Sequence, residues 1–394
     1  MKLKLYNRMI KSILAAVLFI SMLSSCNKEL PVAQPILFPP PSGSSISDIL
    51  SDPNYSILKA AVTRANLTSL LSDQTKVFTF FAPDNAAMQL SGIPSAAAIN
   101  LIRPGQLDTL LRYNLIGGQK YTSANISSAF PNMYLQSSFI LSPPSASLPP
   151  GLRMPIFPAK NGVGMFVNNI PVTQADIPAA NGVIHKVAAV VMPPSQFLWD
   201  RINADPNLTY LKAAIQRADE AANGALQAAL KNPAANLTVF APTNTAFQQL
   251  LTAQITLALI GQGMDPGTAA ATATALASSP AVFQNPAVAS VLTAQTVQGI
   301  VVYHILGQRA FSVNFPLTAT SYPTLLNSAI PAHPGVALQA TFGTLGVTAA
   351  TVKGLGNATA SNVMINPTPA PGGTSDQHYI NGTMHIIDQV LLPQ

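Results

Sequence analysis

One stretch of the chain occurs twice, once in each half, and it constrains the fold more than any other feature. The two copies read VFTFFAPDNAAM at residues 77–88 and LTVFAPTNTAF at residues 237–247. The apolar residues before the proline favour a buried strand, and the proline ends the ladder because it has no N–H to donate. Asp84 and Thr243 come next and can each cap a helix. Each copy therefore predicts a strand that runs directly into a helix.

The duplication extends over most of the chain. Residues 52–65 and 205–218 align position by position, and in both copies apolar residues recur at the i, i+3, i+4 spacing of an amphipathic helix. Each copy also ends in Asn-Gly followed by apolar residues, beginning at Asn181 and Asn381, which is typical of a β-hairpin. In the first copy, the strand before this pair is predicted at Gly164–Val172. The pattern predicts two consecutive domains built on one plan.

Two of the repeated motifs resemble a known family. The pattern Phe-Ala-Pro-x-Asn-x-Ala, at residues 81–87 and 240–246, resembles the first signature of the fasciclin domain. The pair Tyr303 and His304 resembles the second signature, and the first copy has Asn114 where the histidine belongs. Since that second signature has been linked to adhesive contacts in animal members, the resemblance makes Tyr303 and His304 candidate binding residues.

The resemblance covers nearly all of residues 45–394 and implies tandem fasciclin-like domains at 45–195 and 196–394. Each is expected to be α+β, a twisted β-sandwich-like wedge with helices packed on one side. The implied function is that of an extracellular adhesion and interaction module. The resemblance names no particular ligand.

The N-terminus predicts export and lipid attachment. Residues 1–25 combine four basic residues with a short apolar run, which is typical of a signal peptide. The run ends in Leu-Ser-Ser-Cys, and this resembles the lipobox of bacterial lipoproteins, in which the cysteine, here Cys26, is acylated. Residues 26–44, rich in Pro and Ser, are predicted to be an extended tether. Asn27 is not the acidic residue that retains many lipoproteins at the inner membrane, which favours an outer-membrane location in the bacterial cell envelope.

Most of the excess positive charge of the chain lies in the signal peptide. The full sequence carries 20 Lys and Arg against 14 Asp and Glu, and removing the four basic residues of the signal leaves 16 against 14, or +2. Such a balance gives no electrostatic footprint for nucleic acid. Membrane contact is expected through the lipid alone.

No catalytic motif appears in the sequence. Glu29 and Glu220 are the only glutamates, which excludes a paired-Glu glycosidase. No phosphate-binding loop follows a strand and no Gly-x-Ser-x-Gly elbow is present. We therefore predict a protein that is not an enzyme and takes no cofactor.

Histidine offers the remaining chemistry. His185 and His385 are equivalent by the repeat, and the simplest interpretation is an imidazole that bonds a neighbouring backbone group. The alternative is a small-molecule or metal site near His378 and His385, with Asp376 close by, although this spacing fits no standard metal pattern. The favoured interpretation therefore includes no metal ion.

Two segments fit the repeat poorly. Residues 142–158 contain six prolines and are predicted to be a loop. Residues 252–290 are an insertion rich in Ala and Thr, in which 268–277 is predicted to be a short helix. Insertions of this kind often carry the specificity of a module, so we expect a protein or glycan ligand to bind the second domain there. The oligomeric state stays open.

Overall fold

The duplicated strand-to-helix motif forms in both repeats as predicted. Strands β1 (Phe78–Pro83) and β9 (Leu237–Pro242) are buried along their whole length. Asp84 then accepts a hydrogen bond from the backbone of the following helix at 2.9 Å, and Thr243 does the same at 3.2 Å. In the computed structural model, the residues described are 43–143, 151–343, 346–366 and 373–394.

The first repeat alternates short helices with a curled sheet. Its helices are α1 (Ile46–Ile49), α2 (Ser56–Arg64), α3 (Thr68–Ser72), α4 (Asn85–Leu90) and α5 (Pro104–Tyr113). After β1, its strands are β2 (Leu115–Gly117), β3 (Leu135–Ser142), β4 (Leu152–Ile156), β5 (Pro158–Asn161), β6 (Gly164–Val167), β7 (Ile170–Ala179) and β8 (Gly182–Val187).

The second repeat follows the same order with longer helices. These are α6 (Leu198–Ala204), α7 (Thr209–Ala222), α8 (Ala225–Lys231), α9 (Asn244–Gly261), α10 (Pro266–Ala277) and α11 (Ala294–Tyr303). After β9, its strands are β10 (Ile305–Leu306), β11 (Thr320–Tyr322), β12 (Val336–Gly343), β13 (Gly346–Lys353), β14 (Ser361–Val363), β15 (Gln377–Tyr379) and β16 (Gly382–Ile387).

Each repeat is closed by a parallel pair of strands. β1 pairs with β8, and β9 pairs with β16, in the same register, while the other pairings are antiparallel. The first sheet runs β2-β1-β8-β7-β6-β5, with β3 and β4 forming a separate ladder. The second runs β10-β9-β16-β14-β13-β12-β11, with β15 also on β16. The two predicted Asn-Gly hairpins are β7–β8 and β15–β16, which confirms that part of the sequence interpretation.

Each sheet separates two hydrophobic cores. One face of the first sheet packs against the helices through residues such as Leu58, Phe80 and Leu107, while the other face encloses a second core that includes Phe81 and Ile156. The second repeat has the same two layers. The predicted α+β wedge, with helices on one side of a curled sheet, is confirmed.

Two details of the sequence interpretation were wrong. The segment 142–158 was predicted to be a loop, but Leu152–Ile156 forms β4 and pairs with β3; residues 144–150 lie outside the described part. Pro155 is tolerated because β4 pairs on one side only. The run Gly164–Val172 was predicted to be one strand, but the chain turns at Asn168, whose φ is 54°, and returns as β7. Asn adopts this left-handed conformation more readily than most residues.

The N-terminal predictions fall outside the described residues. These comprise the signal peptide, Cys26 and the tether up to residue 42. Residues 41–394 form one compact unit that contains both repeats. Within the described ranges, no helix combines the length and apolar character that crossing a bilayer requires.

Candidate functional site

The two equivalent histidines hold a loop onto the closing strand of each repeat. His185 donates from Nε2 to Tyr121 O at 2.8 Å and accepts from Asp176 N at 3.3 Å. His385 repeats this geometry with Ala310 O at 3.0 Å and Asp376 N at 3.3 Å. The prediction that these imidazoles bond neighbouring backbone groups is confirmed. Burial lowers the pKa of His185, which keeps its ring neutral.

A serine and an aspartate join each of these histidines, but not in a catalytic order. Ser123 donates from both its backbone N and its Oγ to the Asp176 carboxylate, and Ser312 does so to Asp376. The histidine meets the backbone of the aspartate, so neither ring nitrogen is free to take a proton from the serine hydroxyl. Because a Ser nucleophile needs an adjacent base, these clusters serve as structural links.

The predicted binding residues Tyr303 and His304 lie in the core. The Tyr303 hydroxyl donates to Gly335 O at 2.6 Å and accepts from Leu355 N at 2.9 Å. His304 donates from Nδ1 to Ile300 O and accepts at Nε2 from Leu391 N, both at 2.8 Å. Burial lowers the pKa of His304 to about 4. Both side chains are buried, so a ligand could touch them only after the domain had opened locally.

Asn114, which occupies the position of His304 in the first repeat, makes part of the same set of backbone hydrogen bonds. Its Nδ2 donates to Leu110 O and Val191 O, both at 2.8 Å, which ties the end of α5 to the segment after β8. Its buried Oδ1 has no hydrogen-bond partner among the described residues. Asn114 also lines a small apolar cavity of about 10 Å³, and a cavity of about 20 Å³ lies at the equivalent place in the second repeat. At these volumes neither cavity holds a ligand larger than water.

The most unusual polar group lies where the two repeats meet. Arg309 is buried, and its guanidinium donates to Asn236 Oδ1, Tyr379 O and Ile380 O at 3.1–3.2 Å. It also donates from Nη1 to Nε2 of His378 at 2.6 Å. No salt bridge joins Arg309 to a carboxylate in the described ranges, so the cation is held by carbonyl oxygens and one imidazole. Burial lowers its pKa to about 10, at which it stays charged at neutral pH.

The first repeat covers this pair. Tyr113 places its hydroxyl 3.3 Å from His378 Nδ1, and Asn168 donates to that hydroxyl at 3.1 Å. Phe157 lies against the guanidinium, with 4.6 Å between its ring centroid and Arg309 Cζ, and Phe311 packs edge-on against His378. We call Tyr113, Phe157, Asn168, Arg309, Phe311 and His378 the interdomain seam.

Hydrogen bonds between the repeats surround the seam. Phe311 N donates to Asn132 Oδ1 at 3.0 Å, and Asn161 Nδ2 donates to Val313 O at 2.7 Å. Phe157 and Phe311, with Phe166 and Val313, form one small buried cluster drawn from both repeats. The contact between the domains is thus both apolar and directional.

Sequence reasoning did not find Arg309. One signal was available, because Arg309 is the only Lys or Arg between Lys231 and Lys353. A lone cation in so apolar a stretch suggests a specific partner. The small-molecule or metal site predicted near His378 and His385 lies in the same region as Arg309. However, His378 is hydrogen-bonded to Arg309, and His385 is hydrogen-bonded to the backbone oxygen of Ala310. No group of three or more His, Cys, Asp or Glu side chains in the described residues is arranged to hold a metal ion.

The insertion of the second repeat forms a helical hairpin. Helix α9 is three times as long as its counterpart α4, and α10 packs back along it. The two helices meet through residues spaced four apart: Leu251, Ile255 and Leu259 on α9, and Ala269, Ala273 and Ala277 on α10. The predicted helix at 268–277 is confirmed and begins slightly earlier, at Pro266, where Asp265 caps it.

The hairpin is anchored firmly and is almost uncharged. The hydroxyl of Tyr210 on α7 donates to Ala277 O at 2.7 Å, and Gln284 donates to the Glu220 carboxylate at 2.6 Å. Between residues 252 and 290 the only charged side chain is Asp265. Leu257 and Ile260 on α9 are exposed apolar side chains. The result is a fixed surface of small, hydroxyl-bearing and apolar groups.

Comparison with known proteins identifies the family. A sequence model of the Fasciclin domain matches residues 53–193. Protein sll1483 of Synechocystis sp. is 33% identical over 143 residues, which make up 36% of this chain and 68% of that protein. The chain belongs to the fasciclin domain family. Fasciclin domains are cell-adhesion modules. The matched range is the first repeat, and the internal duplication extends the assignment to the second.

Two longer relatives match part of this chain. The transforming growth factor-beta-induced protein ig-h3 of Sus scrofa is 30% identical over 178 residues, or 44% of this chain and 23% of that protein. The ig-h3 protein of Oryctolagus cuniculus is 29% identical over the same length. The fasciclin chain therefore spans about a quarter of these relatives. A solved FAS1 domain pair from the insect cell adhesion molecule fasciclin I aligns with 88% of this chain and 95% of its own, at 13% identity and a TM-score of 0.33.

Proposed function

We propose that this fasciclin protein is a non-enzymatic adhesion module of the bacterial cell surface, and that it binds a protein or glycan through the α9–α10 hairpin. The observation that carries the proposal is the hairpin itself. It is the largest addition to the second repeat over the first, it is packed into the core of that repeat and hydrogen-bonded to α7, and it presents exposed apolar side chains. Family membership supports adhesion as the class of function, and the first repeat acts as a spacer.

The chemistry of the hairpin limits the kind of contact. With Asp265 as its single charge, the surface has little to offer a charged ligand, so hydroxyls, backbone groups and apolar side chains must make the contact. Long-range steering by charge is then weak, and binding should depend little on salt.

The structure sharpens the test of this site. Deleting residues 252–290 would remove Val282, Phe283 and Val288, which belong to the core of the second repeat. Substituting Leu257, which is 70% exposed, leaves that core intact. We expect Leu257→Glu, alone and with Ile260→Glu, to lower binding at least about tenfold to the partner that protein and glycan arrays identify, because a buried charge is costly at an apolar contact.

The matched control lies in the first repeat. Leu90 and Leu101 are 75% and 88% exposed, so Leu90→Glu and Leu101→Glu add the same charge to an exposed leucine elsewhere. These variants should keep full affinity, with circular dichroism confirming the fold of all four. Equal loss in both sets, or full affinity in the hairpin variants, would remove the hairpin from the proposal.

We further propose that acylated Cys26 anchors the chain in the outer membrane. Each buried methylene of an acyl chain contributes about 0.8 kcal/mol, so two or three chains hold far more tightly than a nearly neutral tether. Cys26→Ala should therefore release the protein from the membrane fraction, as measured by fractionation and by mass spectrometry of the N-terminal peptide. A wild-type peptide without lipid, or a variant that stays in the membrane, would contradict the anchor.

A further inference from the structure

The interdomain seam holds a histidine that must be neutral. Arg309 Nη1 donates to Nε2 of His378 at 2.6 Å, so this nitrogen has to present a lone pair. The ring proton then belongs on Nδ1, which faces the Tyr113 hydroxyl at 3.3 Å. A second proton could attach only at Nε2, where it would point at an N–H group of a guanidinium.

None of the described residues that face His378 would offset a second positive charge on its ring. Arg309 is itself a cation, and burial raises the pKa of Tyr113, which therefore stays a neutral phenol. Asn168 and the rings of Phe157 and Phe311 carry no charge. The ring of Tyr134 packs edge-on against Phe157.

The carboxylate closest to His378 in the sequence, that of Asp376, is already engaged elsewhere. Asp376 lies two residues before His378, but its two oxygens accept hydrogen bonds from the backbone N and the Oγ of Ser312, both at 2.6 Å. Turning toward His378 would break both of these bonds and would release the loop that carries Phe311. A protonated imidazole at the seam is therefore left without a counter-ion.

Because His378 is only partly buried, solvent protons can reach it. We propose that protonation of His378 opens the interdomain seam, so that the two fasciclin domains are held as one unit at neutral pH and separate at their contact in mild acid. Opening breaks the interactions between the repeats, namely Tyr113 with His378, Phe157 with Arg309, and Phe311 with Asn132. Apart from the Arg309–His378 hydrogen bond, which lies within the second repeat and is lost with this proton, the inner hydrogen bonds of each domain do not depend on it.

The direction of the pH effect follows from the two states of the seam. Burial and the Arg309 guanidinium hold the pKa of His378 well below its usual range while the seam is closed. In the open state the ring is hydrated and can turn away from Arg309, so its pKa returns toward the ordinary value of about 6.5. The open state therefore binds the proton more tightly, and the closed seam loses stability progressively as the pH falls below about 6.5.

Amide hydrogen exchange on the full-length protein in detergent tests the proposal. The Phe311 amide, which donates across the seam to Asn132, reports opening. The Phe240 amide, which donates to His304 O inside the second repeat, reports unfolding of the domain that carries Phe311. Between pH 7.5 and pH 5, after correction for intrinsic exchange, protection at Phe311 should fall at least about tenfold more than protection at Phe240.

Two substitutions of His378 represent the neutral and the charged state of the ring at every pH. Gln can accept from Arg309 through Oε1 and donate toward Tyr113 without titrating, so His378→Gln should keep Phe311 protected at both pH values. Lys carries a permanent charge, so His378→Lys should expose Phe311 at both. If wild type and His378→Gln lose protection equally in acid, or if protection at Phe311 and at Phe240 falls by the same factor, the proposal is wrong.

A variant on the other side of the pair covers the case in which the His378 variants fail to fold. Arg309→Gln removes the guanidinium, so protonated His378 no longer meets a cation. The Phe311 amide of this variant should show the same protection at pH 5 as at pH 7.5. Acid-induced exposure of Phe311 in Arg309→Gln would mean that charge repulsion at the seam is not the cause.

Discussion

At the scale of single residues, the two fasciclin domains fill one buried position with different side chains. His304 uses both ring nitrogens, one as donor and one as acceptor, whereas Asn114 uses its two N–H groups and leaves its oxygen without a partner among the described residues. An unpaired buried acceptor typically costs about 1–3 kcal/mol, so the histidine is the better hydrogen-bonding solution at neutral pH. The histidine, however, can take up a proton.

This difference predicts that an acid sensitivity arising at this position is confined to the second domain. The pKa of His304 is about 4 when folded and near the ordinary value of about 6.5 when unfolded. The unfolded chain therefore binds the proton more tightly, and stability falls as the pH drops from about 6.5 to 4, by up to about 3 kcal/mol. His304→Asn should lose this part of the pH dependence while costing about 1–2 kcal/mol at pH 7.5.

Denaturant titrations at several pH values between 7.5 and 4 measure this effect. The reciprocal change, Asn114→His, serves as the matched variant, because it places a buried imidazole in the first domain and should add an acid-dependent loss of stability there. Parallel stability curves for wild type and His304→Asn across the whole pH range would contradict the assignment of the proton to His304.

At the scale of the element, the closing hairpins depend on the Asn-Gly pair in two ways. Asn381 accepts from Leu198 N, and Asn181 accepts from Ile46 N, so each asparagine caps the first helix of its own domain. The glycine after it lies against the signature strand. A Cβ built on Gly182 would be 2.0 Å from Phe78 O, and one on Gly382 would be 2.6 Å from Leu237 O.

Gly182→Ala should therefore destabilise the first domain strongly. The backbone of β1 would have to move, and Gly182 also has a φ of 151°, which L-residues rarely adopt. We expect a loss of about 2–4 kcal/mol, within the range of other backbone-incompatible substitutions. Gly105→Ala is the control, since a Cβ there meets nothing within 4 Å and the site is helical; it should be neutral or stabilise by up to about 1 kcal/mol. If thermal melts gave Gly182→Ala and Gly105→Ala the same melting temperature, this account would be refuted.

The sequence predicted those elements whose signals are local. The capped strand-to-helix motif, the amphipathic helices and the hairpins each depend on a few neighbouring residues, and the duplication supported every one twice. Residues 142–158 were wrongly predicted to be a loop because proline is disfavoured in strands. β4 nevertheless tolerates Pro155, because this strand pairs on one side only. The turn at Asn168 was missed because Val167 and Ile170 continue the apolar pattern across it.

The seam could not be predicted for a different reason. Its hydrogen bonds join residues as far apart in sequence as Tyr113 and His378, and no periodicity in either repeat reports how the two domains meet. Tyr113 illustrates the point, since its hydroxyl is directed at the other domain whereas that of Tyr303 is satisfied within its own. Equivalent positions in the sequence thus have different partners in the structure.

At the scale of the whole molecule, each domain has two cores and a sheet of its own. We therefore expect residues 45–195 and 196–394 to fold when expressed separately, and calorimetry should show one cooperative transition for each. The linked pair should be more stable than either half, because separation uncovers Phe157, Phe311 and Arg309. A broad melt with poor NMR dispersion in either half would show that the domain needs its neighbour.

The parallel strand pair of each sheet also determines when each domain can complete its fold during synthesis. β9 finds its partner β16 only when residue 387 has been made, whereas β1 can pair with β8 as soon as residue 187 is available. At about 5–20 residues per second, synthesis from β9 to β16 takes roughly 7–30 seconds. Throughout that interval the apolar strand Leu237–Pro242 lacks its parallel neighbour and is exposed to association with other nascent chains. The first domain reaches its stable form while the second is still incomplete.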